Sequence, residues 1–318
     1  MSDMEPLIRL QVPSHRIDAV LDTDAYNEID DQYAISYLLK SDDRICCEAI
    51  YAAPFYNKRL VRDPEEGMER SYEEIRKVVR LCGRADLLPR ILRGSPQYLK
   101  DEKTPVDSPA ARDLIARAKR HDAENPLYVV GIGAITNIAS AILLDRSIID
   151  RMVVVWLGGH ALHWSDTREF NMVQDIAAAR VVFGSGVALV HLPCFGVVSE
   201  FAVSAPELKT WLSGRNPLCD YLVQNTITYQ ERYFPGKPWT KQIWDVTAVA
   251  WLLNDGERFM KEKIIRAPMP EYDGYYSFPQ KIHFMKYIWS INRTELFDDL
   301  FKKLTENACA GGDERCSE

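Results

Sequence analysis

Short apolar runs alternate with stretches of helical spacing along most of this chain, and that alternation limits the possible folds more than any other feature. Residues 16–24 contain Ile17, Ala19, Val20 and Leu21 and predict a buried strand. Residues 30–41 follow, with Ala34, Ile35, Leu38 and Leu39 on one helical face. The pattern then repeats. Strands are expected over 45–53, 126–133, 152–159 and 187–192, and helices over 71–81, 135–144 and 176–183. Strands separated by helices pair in parallel, with helices on both faces. Runs such as MVVVWLGG, apolar at every position, suit a sheet buried on both sides. The expected fold is therefore α/β, an open, mostly parallel, doubly wound sheet. Ligands in such folds lie beyond the carboxyl ends of the strands, so the residues just after each strand come first. Residues 93–108 (RGSPQYLKDEKTPVDS) are expected to be loop. Nothing in the sequence reads as a linker, so one domain over 1–318 is expected, with flexible ends at 1–14 and 307–318.

The net charge of −7, with Lys and Arg scattered, argues against a nucleic-acid partner, which calls for a basic stripe. No apolar run approaches a membrane span, and the opening residues carry Asp3 and Glu5 without an apolar core, so neither an anchor nor a signal peptide is expected. Seven cysteines, no two in CxxC spacing, predict neither a disulfide framework nor a cysteine zinc site. A reduced, cytoplasmic protein acting on a small molecule is the expectation.

The first predicted strand runs into DTDAYNEIDD. Asp22, Asp24, Glu28, Asp30 and Asp31 crowd one strand-to-helix turn. Like charges this close repel, more so when buried, and a cation relieves the conflict. Oxygen-only donors point to a hard ion, calcium or magnesium. An Asp at a helix start also serves as a cap, so Asp30 and Asp31 taken singly stay open to that role. A DxD after a first strand equally fits a magnesium-dependent phosphatase, with Asp22 or Asp24 as nucleophile. The cluster alone does not name a reaction.

Four segments, in order, resemble the inosine-uridine nucleoside hydrolase family. DTDAYNEIDD resembles its DxDPGxDD opening. Gly131-Ile132-Gly133-Ala134-Ile135-Thr136-Asn137 resembles its strand before a Thr-Asn helix start. Trp156-Leu157-Gly158-Gly159 with Glu169-Phe170-Asn171 resembles its LMGG…EFN element, and Trp244-Asp245-Val246-Thr247-Ala248-Val249-Ala250 its late HDPxAVA helix. The resemblance runs from about Ile17 to Ala250, and no motif beyond that compares.

The resemblance implies Ca2+ held by the carboxylates of Asp24, Asp31 and Asp245 and by the carbonyl of Ile132, with a water and the ribose hydroxyls completing the shell. The ion acidifies that water and Asp24 takes its proton as general base. Attack at C1′ of a ribonucleoside, through an oxocarbenium-like state, gives ribose and free base. Asp30, Asn57, Glu169 and Asn171 are implied to hold the ribose hydroxyls, which disfavours 2′-deoxy substrates. Plainer roles exist for some of these: a turn for Asn57, loop polarity for Glu169 and Asn171, a helix cap for Asp245. A homo-oligomer, dimer or tetramer, is implied by the family.

Two departures stand out. The DTDAYNEIDD turn is two residues longer than its counterpart and lacks Pro-Gly, the extra residues falling within 25–29. Trp244 stands where many members carry His. Trp does not serve as a proton donor there but can stack on a flat base, as it does in purine-preferring members of the family, so the resemblance implies a modest preference for a purine; a plain core Trp is the alternative. His163 or Trp164, between Gly159 and Glu169, is expected near the 5′ hydroxyl. The missing His leaves one further alternative, a protein that binds nucleoside or ribose without turnover.

Overall fold

The computed structural model describes residues 8–280 and 283–306. Six strands pair in parallel: β1 (Ile17–Thr23), β2 (Ile45–Ala52), β3 (Ile91–Arg93), β4 (Leu127–Gly131), β5 (Met152–Leu157) and β6 (Ala188–Leu192). The small pair β7 (Ala202–Val203) and β8 (Lys241–Gln242) is antiparallel and lies outside this sheet, as does the pair β10 (Met269–Pro270) and β11 (Tyr276–Ser277). β9 (Met260–Arg266) and β12 (Phe284–Ile291) complete the main sheet, in the order β3-β2-β1-β4-β5-β6-β12-β9. β12 runs parallel to β6, and β9 antiparallel to β12. The mostly parallel sheet is as the sequence predicts.

Ten helices are described: α1 (Asp31–Leu39), α2 (Pro64–Leu81), α3 (Pro109–Ala118), α4 (Thr136–Leu144), α5 (Phe170–Gln174), α6 (Ile176–Ser185), α7 (Ala205–Trp211), α8 (Pro217–Tyr233), α9 (Val246–Trp251) and α10 (Arg293–Thr305). They cover both faces. One core layer joins Ala19 and Leu21 of β1 to Tyr33, Val78, Leu222, Val249 and Leu300. The other joins Val20 to Leu114, Ile138 and Val182. Alternation along β1 makes this split, since successive side chains point to opposite faces. The strands wind outward from β1 and β4, so the reversal of strand order falls between these two. A crevice opens at such a point beyond the strand ends.

Helix α1 is buried on every side, beyond the single apolar face its spacing predicts. Its two tyrosines remain satisfied: the Tyr33 hydroxyl donates to the Leu222 carbonyl at 3.2 Å, and that of Tyr37 to Asp299 at 2.5 Å. Helix α2 begins seven residues ahead of the predicted 71–81 span. Asp63 caps it, accepting from the Glu66 N–H at 2.8 Å, and Pro64 occupies its first position. Its charged first turns hide this start from a search for apolar spacing. Residues 94–108 are loop, but the short edge strand β3 ends inside the stretch read as loop. Within the stretch 1–14 expected to be flexible, Leu10 is fully buried and Arg9 pairs with Asp150 at 3.2 Å. Residues 1–7 and 307–318 lie outside the described residues. Among the described residues no helix is long and apolar enough to cross a membrane. Cys47, Cys82, Cys194 and Cys219 are buried free thiols.

Candidate active site

The strand ends at the switch point build the site. Asp22, still on β1, faces the α4 layer, where the Asn137 amide donates to its Oδ1 at 2.8 Å. Thr23 faces the other way and donates to Asp31 Oδ1 at 2.5 Å, tying the end of β1 to the start of α1. Asp24, one residue past the strand, lines the crevice. Ile132 follows β4, its N–H bonded to the Asp22 carbonyl at 2.9 Å. Gly133 lets Asp24 come close here: a Cβ would lie 3.0 Å from Asp24 Oδ1 and press the carboxylate a few tenths of an ångström aside.

A cavity of about 230 Å³ opens over these ends. It brings together Asp24, Asp30, Asp31, Ile132, Glu169, Asn171, Trp244 and Asp245, eight residues that the sequence singled out. Asp30 and Asp245 stand at the N-terminal caps of α1 and α9, yet neither carboxylate makes a capping hydrogen bond. Glu169 does cap: it accepts from the N–H groups of Gly159 (2.8 Å), Asn171 (2.9 Å) and Met172 (3.0 Å). The Asn171 amide donates to the carbonyls of Ile132 and Leu157, leaving its Oδ1 for a ligand.

Burial dominates the electrostatics. It pushes Asp31 up to about 8, with the charge of Asp30 adding to the effect. Asp24 and Asp245 are held well above the usual carboxylate range by burial, then by Asp31 and Asp30 respectively. Glu169 is raised to about 7, and Asp22 to about 7, both by burial. One cation enters the group. Burial alone lowers Lys241, but Asp30 and Glu28 outweigh that and hold its ammonium above the ordinary lysine range. Lys241 pairs with Glu28 and lies 3.5 Å from Asp30 Oδ1.

The residues fit a hard cation. One carboxylate oxygen each from Asp30, Asp31 and Asp245 falls within 4.8 Å of the others, all three residues being buried. Asp24 Oδ2 is buried without any hydrogen-bond partner. The donor set is oxygen throughout, as calcium or magnesium prefers. Geometry alone groups Asp30 with Asp31 and Asp245, whereas the resemblance groups Asp24 with them. Asp30 already has Lys241 near one oxygen and the Asp245 N–H at 3.4 Å from the other, whereas Asp24 Oδ2 has no donor. Asp22 does not line the cavity, which leaves Asp24 alone of the two candidate phosphatase nucleophiles facing it.

Two predicted residues lie elsewhere. Asn57 stands behind Asn27, donating to its Oδ1 at 3.4 Å and accepting from the Arg59 N–H at 3.2 Å, so it is a turn residue and Asn27 forms the wall. His163 lines a separate cavity with Leu162, Val197, Lys263, Tyr287 and Trp289, because the Ala161–Trp164 turn packs it against Gly196. Trp164 stacks on Phe195 with centroids 5.6 Å apart. His160, Phe195 and Arg168 line the cavity and were not singled out. His160 directly follows Gly159, and Phe195 follows β6 by three positions; inspecting the end of β6 as closely as that of β1 finds the second.

The sheet order and the carboxylate-lined cavity at its switch point place the chain among the doubly wound α/β proteins that bind ligands beyond the strand ends. Within that class, the chain belongs to the inosine-uridine preferring nucleoside hydrolase family, whose model matches residues 19–285. It is 26% identical over 152 residues to the pyrimidine-specific ribonucleoside hydrolase RihA of Salmonella enteritidis, covering 46% of this chain. The match spans about half the length of that relative, 48%. Its fold is similar to that of a plant nucleoside hydrolase (18% identity, TM-score 0.72, 92% of this chain and 99% of that one). It is also similar to a purine-preferring ribonucleoside hydrolase from Gardnerella vaginalis (18% identity, TM-score 0.71, 91% and 98%).

Proposed function

We propose that the chain hydrolyses the N-glycosidic bond of ribonucleosides, with Ca2+ bound by the carboxylates of Asp24, Asp31 and Asp245 and the carbonyl of Ile132. The observation that carries this reading is the buried, unpartnered oxygen of Asp24 beside Asp31. When bound, the ion would supply positive charge that keeps these carboxylates ionised and would acidify an adjacent water. Asp24 takes that water's proton. A C1′–O bond forms, the C1′–N bond opens, its electron pair leaves with the base, and a proton is returned to the base. Glu169, fixed by three backbone donors, presents negative charge to the sugar as positive charge develops at C1′. Asp30 and Asn171 Oδ1 accept from the ribose hydroxyls and fix the sugar against the water. A 2′-deoxy substrate leaves the buried Asn171 Oδ1 without a partner and reacts more slowly.

Phe195 and Trp244 meet edge to face with centroids 5.5 Å apart and offer the base an aromatic wall. Its breadth favours a purine. The protein is taken to act in the cytoplasm as a homo-oligomer. The test is release of reducing sugar from inosine, adenosine, guanosine, uridine and cytidine with calcium present. No release from any of them, by protein shown to bind the ion, sinks the reading. Trp244 at the family's His position favours a second reading, nucleoside binding without turnover. Calorimetric binding of inosine with no sugar released is the result that would support it.

A further inference from the structure

We infer that Lys241 is a positioning residue that splits the acidic cluster in two, neutralising Glu28 and Asp30 so that Asp30 meets the sugar while Asp24, Asp31 and Asp245 meet the ion. This rests on the proposed function for the identity of the sugar.

Lys241 reaches the site from outside the main sheet. It lies on β8, paired with Val203 of β7, and the Ile243 N–H bonds the Phe201 carbonyl at 2.9 Å just beyond. Its backbone is therefore fixed independently of the turn it grips. Its side chain is only 6% exposed, with the ammonium on Glu28, 3.5 Å from Asp30 Oδ1, and 5.9 Å from the centre of the Tyr229 ring. A buried ammonium is costly to desolvate and persists where carboxylates repay that cost. Lys241 grips the lining carboxylates from behind, whereas Arg168, which does line the cavity, is engaged elsewhere: it donates to the Asp273 carbonyl at 2.6 Å and lies over Tyr275.

Lys241 thereby sets a division of labour. Both oxygens of Asp30 have protein donors, whereas Asp24 keeps one with none. An ion drawn to Asp30 has to approach the Lys241 ammonium, and like charges oppose that. Glu28 lies in the stretch that makes DTDAYNEIDD longer than the family's opening, and it lines the cavity. Held by Lys241, it acts as a strap for the longer turn and is not an ion ligand.

The experiment uses the full chain and its Lys241→Met variant. Calcium is titrated by calorimetry, and KM and kcat are measured with the best nucleoside. Removing the ammonium leaves more negative charge around the ion and a loosely held Asp30. Calcium is expected to bind about tenfold more tightly and KM to rise about tenfold, with kcat changed less. Lys241→Arg is expected to return both values toward wild type. Weaker calcium binding with unchanged KM overturns the inference, as does equal affinity in the two proteins. Should Lys241→Met not fold, Glu28→Gln carries the test: a loss of calcium affinity of about tenfold or less, as removal of one nearby charge gives, with a raised KM supports the strap, and a loss of about a hundredfold or more places Glu28 in the ion's shell and overturns it. A wild type that binds calcium but turns over no nucleoside defeats the proposed function, while the calcium titrations still decide the role of Lys241.

Discussion

The Asn171 side chain donates from Nδ2 to the Ile132 carbonyl and to the Leu157 carbonyl, each at 3.1 Å, and so ties the ends of β4 and β5 together. It also fixes the direction of the one backbone oxygen proposed as an ion ligand. Asn171→Leu leaves two buried carbonyls unpaired, at about 1–3 kcal/mol each. Asn171→Asp is expected to lose at least as much, because a carboxylate cannot donate to a carbonyl. Denaturant midpoints read the stability, and calcium calorimetry reads the loosened Ile132. Affinity equal to wild type in both variants rules out the orienting role.

Asp24 combines a buried charge with the proposed general-base role. Asp24→Asn keeps its shape and removes the charge. Turnover is expected to fall about 10²–10⁴-fold. The ion-free protein is expected to become more stable, since no carboxylate then suffers burial beside Asp31. The measurements are kcat with calcium and the thermal midpoint with chelator. Retention of a tenth or more of the activity assigns the base elsewhere.

Calcium and protons compete at this cluster. Asp31 is raised to about 8 in the ion-free fold, above its unfolded value of 3.8. Between those values the ion-free fold holds a proton that the unfolded chain does not, so its stability falls as pH rises through that window. Ion binding expels the proton, so calcium affinity is expected to climb from pH 6 to 8 and then level off. At a hundredfold excess over Kd the ion adds about 2.7 kcal/mol of stability. Calorimetry in two buffers of different ionisation heat counts the protons released. Zero release at pH 6.5 contradicts the coupling.

Much of this site is legible in the sequence because its residues follow strands. Asp24 follows β1 and Ile132 follows β4, and Glu169 and Asn171 come after the Gly158-Gly159 turn. Asp245 opens a helix and was reached through the resemblance. What stayed hidden depends on long-range approach. Lys241 is 213 positions from Glu28, on a two-residue strand with no pattern of its own. Phe195 joins the aromatic wall only because β6 lies two strands from β4 in the sheet order. Asn57 looked like a sugar contact, but the longer 25–29 turn places Asn27 in front of it. The C-terminal strand β9 went unseen because it is an edge strand whose side chains are mostly exposed or half-buried.

The aromatic wall sets an expectation for the base. Phe195 lies with its ring centre 4.9 Å from that of His160 and edge to face with Trp244. Phe195→Ala removes the shared ring. KM for inosine is expected to rise about tenfold and KM for uridine less, because a pyrimidine covers less of the wall. The ratio of the two KM values is the readout. An unchanged ratio with both values raised means that the wall does not read base size.

Away from the cavity, His191 is expected to make the fold sensitive to acid. It is fully buried on β6 among the rings of Trp156, Phe183, Tyr276 and Tyr287. Its Nε2 lies 2.7 Å from the Gly158 carbonyl, which only accepts, so Nε2 carries the proton, and Nδ1 has no partner. Burial lowers its pKa from 6.5 to about 4. Between those values the unfolded chain binds a proton that the fold excludes. The stability from a neutral His191 is thus complete above pH 6.5 and drains away as pH falls toward 4, by about 3 kcal/mol in all. His191→Gln retains a donor for Gly158 and does not titrate. In chelator, its unfolding free energy is expected to decline less than wild type between pH 6.5 and 4.5, whatever its value at pH 7. Parallel declines in the two proteins assign the acid sensitivity to other groups.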